Sequence, residues 1–203
     1  AYAVARKLFP VLGLLDFPER YGLTRARLPY PTGIVAIGIF VSWAFLILPM
    51  DQKDTGLVAG VLLLGITSFI DDRTPLPSWL RLSIQILIAA MIFATGSRIY
   101  TLTSPLGGVL KLDSHTINTV LFGPLPLLSG LFTIGWLLLT VNALNWFDGV
   151  QGQVSVIAVI GFVMLGCLAQ FRNNEPDLAL LAFSLAAIAA AGALEDFPPA
   201  KML

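Results

Sequence analysis

Long apolar stretches alternate with short polar ones along most of this chain, and the stretches recur at lengths near 18 residues. That length of uninterrupted apolar side chains is what a helix needs to cross about 30 Å of hydrocarbon. The pattern predicts membrane spans over 33–49, 56–70, 79–95, 127–141, 153–170 and 178–194. The 56–70 stretch is short for the bilayer, so its ends should be shielded by protein or by thinned lipid. Residues 1–15 are apolar but broken by Arg6, Lys7 and Pro10, and read as the end of a first helix or as a short interfacial one. Polar, proline-containing loops fall at 16–32 and 71–77, and a tight polar turn at 51–54. Residues 96–126 differ from the rest. Two short strand-like runs around Ser104-Pro105-Leu106-Gly107-Gly108 predict a small β-hairpin outside the bilayer, with His115 following as a surface residue. The expected fold is an all-α polytopic transmembrane bundle, one domain over 1–203, carrying a small extracytoplasmic β-hairpin.

Composition strengthens this picture. The chain has 203 residues, of which 57% are hydrophobic and 12% charged, and its mean hydropathy is +0.85. The formal net charge is zero, so no basic surface speaks for nucleic acid. A single cysteine, Cys167, inside an apolar run excludes a disulfide framework and a cysteine metal site. The chain starts at Ala1 and stops at Leu203 within a loop-like segment, and a fragment truncated at both ends is expected. Basic residues set the orientation. Arg6, Lys7, Arg20, Arg25, Arg27, Arg73, Arg81 and Lys201 fall on one side, and Lys53, Arg98, Lys111 and Arg172 on the other. The richer side is expected to be cytoplasmic.

The candidate chemistry collects on that side. Asn142, Asn145 and Asp148 are spaced three apart, so a helix continuing that far aligns them on one face, ending at the Asp148-Gly149 turn pair. Asp71-Asp72 likewise follows a span, and all three carboxylates sit at helix C-terminal ends. There the macrodipole disfavours a negative charge by a few tenths of a kcal/mol to about 1 kcal/mol. Carboxylates in that position call for a cation, and with water and phosphate oxygens they compose an Mg²⁺ site, with Mn²⁺ as the alternative ion. Arg20, Arg25, Arg27, Arg73 and Lys201 could balance phosphate charge. The plainer readings are a turn Asp at 148, a solvated Asp71-Asp72 loop paired with Arg73, and basic residues that only anchor the topology. The four tryptophans are read as interfacial or packing aromatics.

Four blocks in order resemble the polyprenyl-phosphate N-acetylhexosaminyl-1-phosphate transferases, which include the bacterial undecaprenyl-phosphate GlcNAc-1-phosphate transferases and the phospho-N-acetylmuramoyl-pentapeptide transferase. They are Gly13-Leu14-Leu15-Asp16-Phe17-Pro18-Glu19-Arg20 with Pro29-Tyr30-Pro31-Thr32-Gly33, then Phe69-Ile70-Asp71-Asp72, then Asn142-Ala143-Leu144-Asn145-Trp146-Phe147-Asp148-Gly149, then Phe197-Pro198-Pro199-Ala200-Lys201. The resemblance implies a multi-pass enzyme of the cell inner membrane with its active site facing the cytoplasm. It implies transfer of a sugar 1-phosphate from a UDP-N-acetylhexosamine to undecaprenyl or another polyprenyl phosphate, with release of UMP. By the same likeness Asp71, Asp72 and Asp148 are the catalytic and metal-binding residues. Asp16, Arg20, Asn142, Asn145, Gln151 and Lys201 are the substrate-binding ones. A homodimer is compatible with the family, although no face offers a readable helix-pairing motif.

Four departures accompany the likeness. Gln151 stands where the family usually repeats an Asp, no His occurs around Arg25 to Leu28, and Asp196 stands where Asn is common. The family also continues into a Gly-Asp-x-Gly segment and a His-containing loop, so the residues present are expected to be an incomplete active site. Two other classes compete. A transporter or ion pathway needs ionisable groups near the middle of spans, which are clean there. A non-catalytic membrane scaffold, which Gln151 and the early stop favour, predicts no magnesium-dependent nucleotide binding even in a completed chain.

Overall fold

The computed structural model describes residues 1–18, 22, 24, 27–197 and 199–202. In chain order the elements are α1 (Tyr2–Val11), α2 (Thr32–Ile47), α3 (Gln52–Arg73), α4 (Ser78–Ala94), β1 (Thr101–Thr103), β2 (Val109–Lys111), β3 (Thr116–Thr119), β4 (Gly123–Pro126), α5 (Leu127–Phe147), α6 (Gln153–Leu168) and α7 (Pro176–Asp196). A π-helical turn, Ala169–Asn173, extends α6. The helices Gln52–Arg73, Leu127–Phe147, Gln153–Asn173 and Pro176–Asp196 are long and apolar enough to cross a membrane, and Thr32–Ile47 and Ser78–Ala94 are shorter apolar helices. The fold is the expected all-α polytopic bundle, and the small β structure lies where it was predicted.

Several boundaries differ from the sequence expectation. The stretch expected to be short is a 22-residue helix that takes in the polar residues at both of its ends. At about 1.5 Å per residue it reaches about 33 Å, so the helix itself has no deficit of length. The next correction concerns 127–141, which runs on to Phe147 and so brings Asn142 and Asn145 into α5. Residues 1–15 hold a ten-residue helix with Pro10 tolerated in its last turn. A second hairpin, β3 with β4, also follows the expected one. Thr116 pairs with Pro126 and Thr119 with Gly123 there, whereas Thr101 pairs with Lys111 in the first. Short runs rich in proline and glycine hide strands of four residues from a pattern search.

The chain forms two compact units, one of residues 1–43 with 144–203 and one of residues 44–143. In the first, Tyr2, Ala5 and Phe9 line one face of α1 and are buried with Val35 and Met202. Leu14, Ile39 and Ala191 pack against them. Arg6 reaches Glu195 near the end of α7 at 3.4 Å. The loop after α1 is closed at its base, since Asp16 donates its backbone N–H to Leu28 O at 2.9 Å and Tyr30 to Leu14 O at 3.2 Å. Helices α6 and α7 run along one another. Ala179, Ala182 and Ala186 are buried on α7, which fits membrane helices, where small side chains allow close contact.

In the second unit, α3 and α4 meet at Gly56 and Gly60. A methyl group at Gly56 would collide with the Thr95 side chain, and one at Gly60 would come within 2.5 Å of Ile92 Cδ1. This Gly-x-x-x-Gly spacing is a readable helix-pairing motif after all, and the chain uses it internally. Asp51 starts α3 by accepting the Asp54 N–H at 2.8 Å. Arg98 closes the far end of α4. Its guanidinium donates to Phe93 O at 3.0 Å and Ala94 O at 3.2 Å, and to Pro124 O at 2.9 Å and Phe122 O at 3.5 Å in the second hairpin. It also lies 5.2 Å from the Phe93 ring centroid. The carbonyls at a helix C-terminus lack partners further along the helix, so this cation reaches Ala94 O and adds to the Gly96 N–H already bound at Phe93 O.

Candidate functional site

The proposed residues divide between the two units. In the second unit, Asp71 and Asp72 occupy the last turn of α3. Both oxygens of the Asp71 carboxylate are engaged. One oxygen accepts the Leu76 N–H at 2.7 Å, and the other accepts from Arg81 at 3.0 Å. The partner is thus Arg81 rather than the neighbouring Arg73, whose guanidinium lies 5.2 Å from the Phe69 ring centroid. Asp71 thereby fixes the tight turn from α3 into α4. Asp72 is exposed, and among the described residues it has no hydrogen-bond or ion-pair partner. On α5, Asn142 donates from Nδ2 to Gln85 Oε1 of α4 at 2.8 Å and to Leu138 O at 2.9 Å. Both donor contacts use the amide nitrogen, so Oδ1 is left as an acceptor.

In the first unit, the turn that follows α5 meets the end of α7. Asn145 is exposed in the last turn of α5, and Asp148 follows one residue beyond the helix. The expected three-residue stripe is therefore helical in its first two members. Asp148 keeps the succession through its own N–H, which donates to Asn145 O at 3.4 Å. The turn Asp148-Gly149-Val150-Gln151-Gly152 then leads into α6. Gly152 is buried, has φ +79°, and donates its N–H to Asp196 Oδ2 at 2.7 Å. Partial burial, and then the neighbouring Asp196 carboxylate, push Asp148 above the usual carboxylate range. Gln151 and Lys201 are exposed. The Lys201 backbone is held by a 2.7 Å bond from its N–H to Glu195 O. Asp16 stands at the pinned base of the first loop, and Arg20 lies outside the described residues.

Sequence reasoning missed Gln85, Arg81, Gly152 and the structural part played by Asp196. Gln85 carried a signal, because an amide inside an otherwise apolar run needs a partner there. Arg81 was counted only as a topological charge.

The residues present suit a hard divalent cation by the chemistry of their donors. Asp72 in the second unit, and Asn145 and Asp148 in the first, offer side-chain oxygen, and Mg²⁺ takes oxygen ligands. The negative charge of Asp196 acts on Asp148, and neither carboxylate has an ion-pair cation among the described residues. Within each unit, no group of three or more His, Cys, Asp or Glu side chains converges among the described residues. A protein-only cage is therefore absent there, and Mg²⁺ is commonly completed by water and substrate phosphate.

The family model described as glycosyl transferase family 4 matches residues 55–203, which include both the Asp71-Asp72 pair and the Asn142 to Lys201 segment. The chain belongs to glycosyl transferase family 4. Among curated relatives, it is 25% identical to a Bacillus subtilis protein described as a probable undecaprenyl-phosphate N-acetylglucosaminyl 1-phosphate transferase, over 98% of this chain and 52% of that protein. It is 28% identical to the phospho-N-acetylmuramoyl-pentapeptide-transferase of Lactobacillus delbrueckii subsp. bulgaricus, over 72% of this chain and 45% of that one. It is 27% identical to the undecaprenyl-phosphate alpha-N-acetylglucosaminyl 1-phosphate transferase of Yersinia pestis, over 91% of this chain and 47% of that one. The family 4 chain thus spans about half the length of these relatives.

Proposed function

We propose that this chain forms part of a transferase that moves an N-acetylhexosamine 1-phosphate from a UDP-sugar to a polyprenyl phosphate at the cytoplasmic membrane face. The observation carrying this reading is the Asn142 to Gly149 block. It ends a membrane helix in exposed amide and carboxylate groups, inside the segment that matches family 4. The relatives' names support the substrate class, since they join an N-acetylated phosphosugar to undecaprenyl phosphate or name the phosphosugar that is moved.

An oxygen of the lipid phosphate attacks the phosphorus on the sugar side of the UDP-sugar. A new P–O bond forms, the P–O bond to the nucleotide breaks, and UMP leaves. A phosphate monoester has a second pKa of about 6, so the nucleophile is largely ionised at pH 7 and needs placement more than deprotonation. Asp72 and Asp148, with Asp71, would hold Mg²⁺. Because Asp71 already accepts two donors, this reading gives Asp72 and Asp148 the larger share. Mg²⁺, when bound, supplies charge neutralisation for the pyrophosphate and the departing UMP. Asn145, Gln151 and the free Oδ1 of Asn142 supply acceptors and donors for the nucleotide. Lys201 supplies a cation for phosphate, and Asp16 and Arg20 contribute from the first loop.

The test is equilibrium binding of labelled UDP-N-acetylglucosamine to the chain in nanodiscs, with and without Mg²⁺. Magnesium-dependent retention that UMP displaces is expected, and Asp148→Asn should abolish it while membrane insertion stays intact. Retention indifferent to Mg²⁺, or unchanged in Asp148→Asn, would sink the site assignment. No retention even in a chain that continues through the expected Gly-Asp-x-Gly segment favours the scaffold reading.

A further inference from the structure

Asp196 sits at a helix C-terminus, where the macrodipole disfavours its charge, yet it is half-buried. Its Oδ2 accepts the Gly152 N–H at 2.7 Å, from a residue 44 positions earlier. A hydrogen bond to a charged group, worth about 1.5–3 kcal/mol, is large enough to offset the dipole cost. Gly152 is no ordinary recipient. It opens α6 with φ +79°, is buried, and lies so close to Phe197 that an added Cβ would meet Cδ2 at 2.9 Å. The turn between α5 and α6 is thus clamped at its rear. At its front it hangs on a 3.4 Å bond from Asp148 N–H to Asn145 O, close to the limit for such bonds. Asp196 is itself held firmly. Phe197 N–H reaches Ala193 O at 2.8 Å, Lys201 and Met202 both donate to Glu195 O, and the Met202 side chain is fully buried.

We infer that Asp196 is a positioning residue, which fixes the Asp148 carboxylate by holding the Gly152 amide and so the whole Asp148–Gly152 turn. The inference rests on the reading of Asp148 as a metal-binding group. It assigns Asp196 a hydrogen-bonding task that a neutral amide oxygen can also perform, so its charge is dispensable for this role. Two substitutions separate these properties. Asp196→Asn keeps an acceptor and removes the charge, whereas Asp196→Ala removes both.

Two readouts on the chain in nanodiscs decide it. The first is hydrogen–deuterium exchange at the Gly152 amide. Protection is expected in the unaltered chain and in Asp196→Asn, and its loss in Asp196→Ala. Protection across α6 and α7 distinguishes local release from unfolding. The second is Mn²⁺ affinity in the presence of UMP, followed by the paramagnetic signal of the free ion. Asp196→Ala should weaken it by about tenfold or more, the scale of a lost supporting contact around a metal. Asp196→Asn should remain close to the unaltered chain. If Asp196→Asn is as weak as Asp196→Ala, the charge acts directly and the inference fails. It fails too if Asp196→Ala leaves the Gly152 amide protected or the affinity unchanged. Absence of Mn²⁺ binding by the unaltered chain refutes the metal reading of Asp148, and this role of Asp196 falls with it.

Discussion

Replacing Gly152 by alanine tests the turn that carries Asp148. The residue has φ +79°, in the left-handed region, where a Cβ costs an L-residue about 1–2 kcal/mol. A second contribution comes from Phe197, since the new Cβ would stand 2.9 Å from Cδ2 and 3.5 Å from Cα. The two differ in how easily they relax. The Phe197 side of the contact is a residue 58% exposed, so its ring can swing outward to another staggered rotamer. The backbone angle cannot relax without dragging the start of α6. The N–H donated to Asp196 survives the substitution, so the loss is conformational. Gly152→Ala should therefore destabilise the first unit by about 1–2 kcal/mol, most of it from the backbone. Unfolding in mixed micelles with increasing dodecyl sulfate, followed by circular dichroism, gives the difference. Repeating it on a Phe197→Ala background separates the two contributions, and the penalty should persist there nearly intact. Full recovery on that background would show that the clash dominates, and a neutral Gly152→Ala would show that this position is not left-handed.

Other perturbations probe the second unit and the acidic pair. Arg98→Met strips charged donors from the carbonyls of Phe93, Ala94, Pro124 and Phe122. It should cost about 2–3 kcal/mol in the same unfolding assay, with Arg98→Lys unable to restore the forked geometry. Gln85→Leu leaves Asn142 only its Leu138 partner. It should lower stability by about 1 kcal/mol. Because burial and Asp196 raise the Asp148 pKa in the folded chain, ionised Asp148 opposes folding. That opposition is fully present above the raised pKa and fades as pH falls through it toward the ordinary carboxylate value. Asp148→Asn should therefore be more stable than the unaltered chain at pH 7, with the advantage shrinking in acid. An advantage that grows as pH falls would reverse the assigned cause.

Much of this architecture was legible because lipid solvation imposes a coarse, repeated signal. A span cannot be built without a long apolar run, so the helices and the first hairpin could be placed from the pattern of residues alone. Helix ends were less legible. Apolar content ends at Ile70 and Val141, but backbone hydrogen bonding does not, and helices α3 and α5 carry on through Asp71, Asp72, Asn142 and Asn145. Partners were the least legible. Asp71 and Arg81 are ten positions apart across a turn, and Asp196 and Gly152 are 44 apart, so no local periodicity joins either pair. The candidate residues themselves stood out because amides and carboxylates are costly beside hydrocarbon and invite a functional explanation. How they are held could come only from tertiary structure.

The glycine face of α3 is already filled by the side chains of Thr95 and Ile92, and this limits how copies of the chain can meet. A right-handed backbone-to-backbone crossing through that face is closed to a second molecule. Outward residues such as Leu131, Trp136 and Leu139 remain for any pairing. Bulky side chains there exchange one apolar neighbour, the acyl chains, for another of similar character, so little shape complementarity singles out a partner. Self-association through them should be soft and solvent-like. Its crosslinking yield should drift with bilayer thickness rather than vanish at a single point substitution.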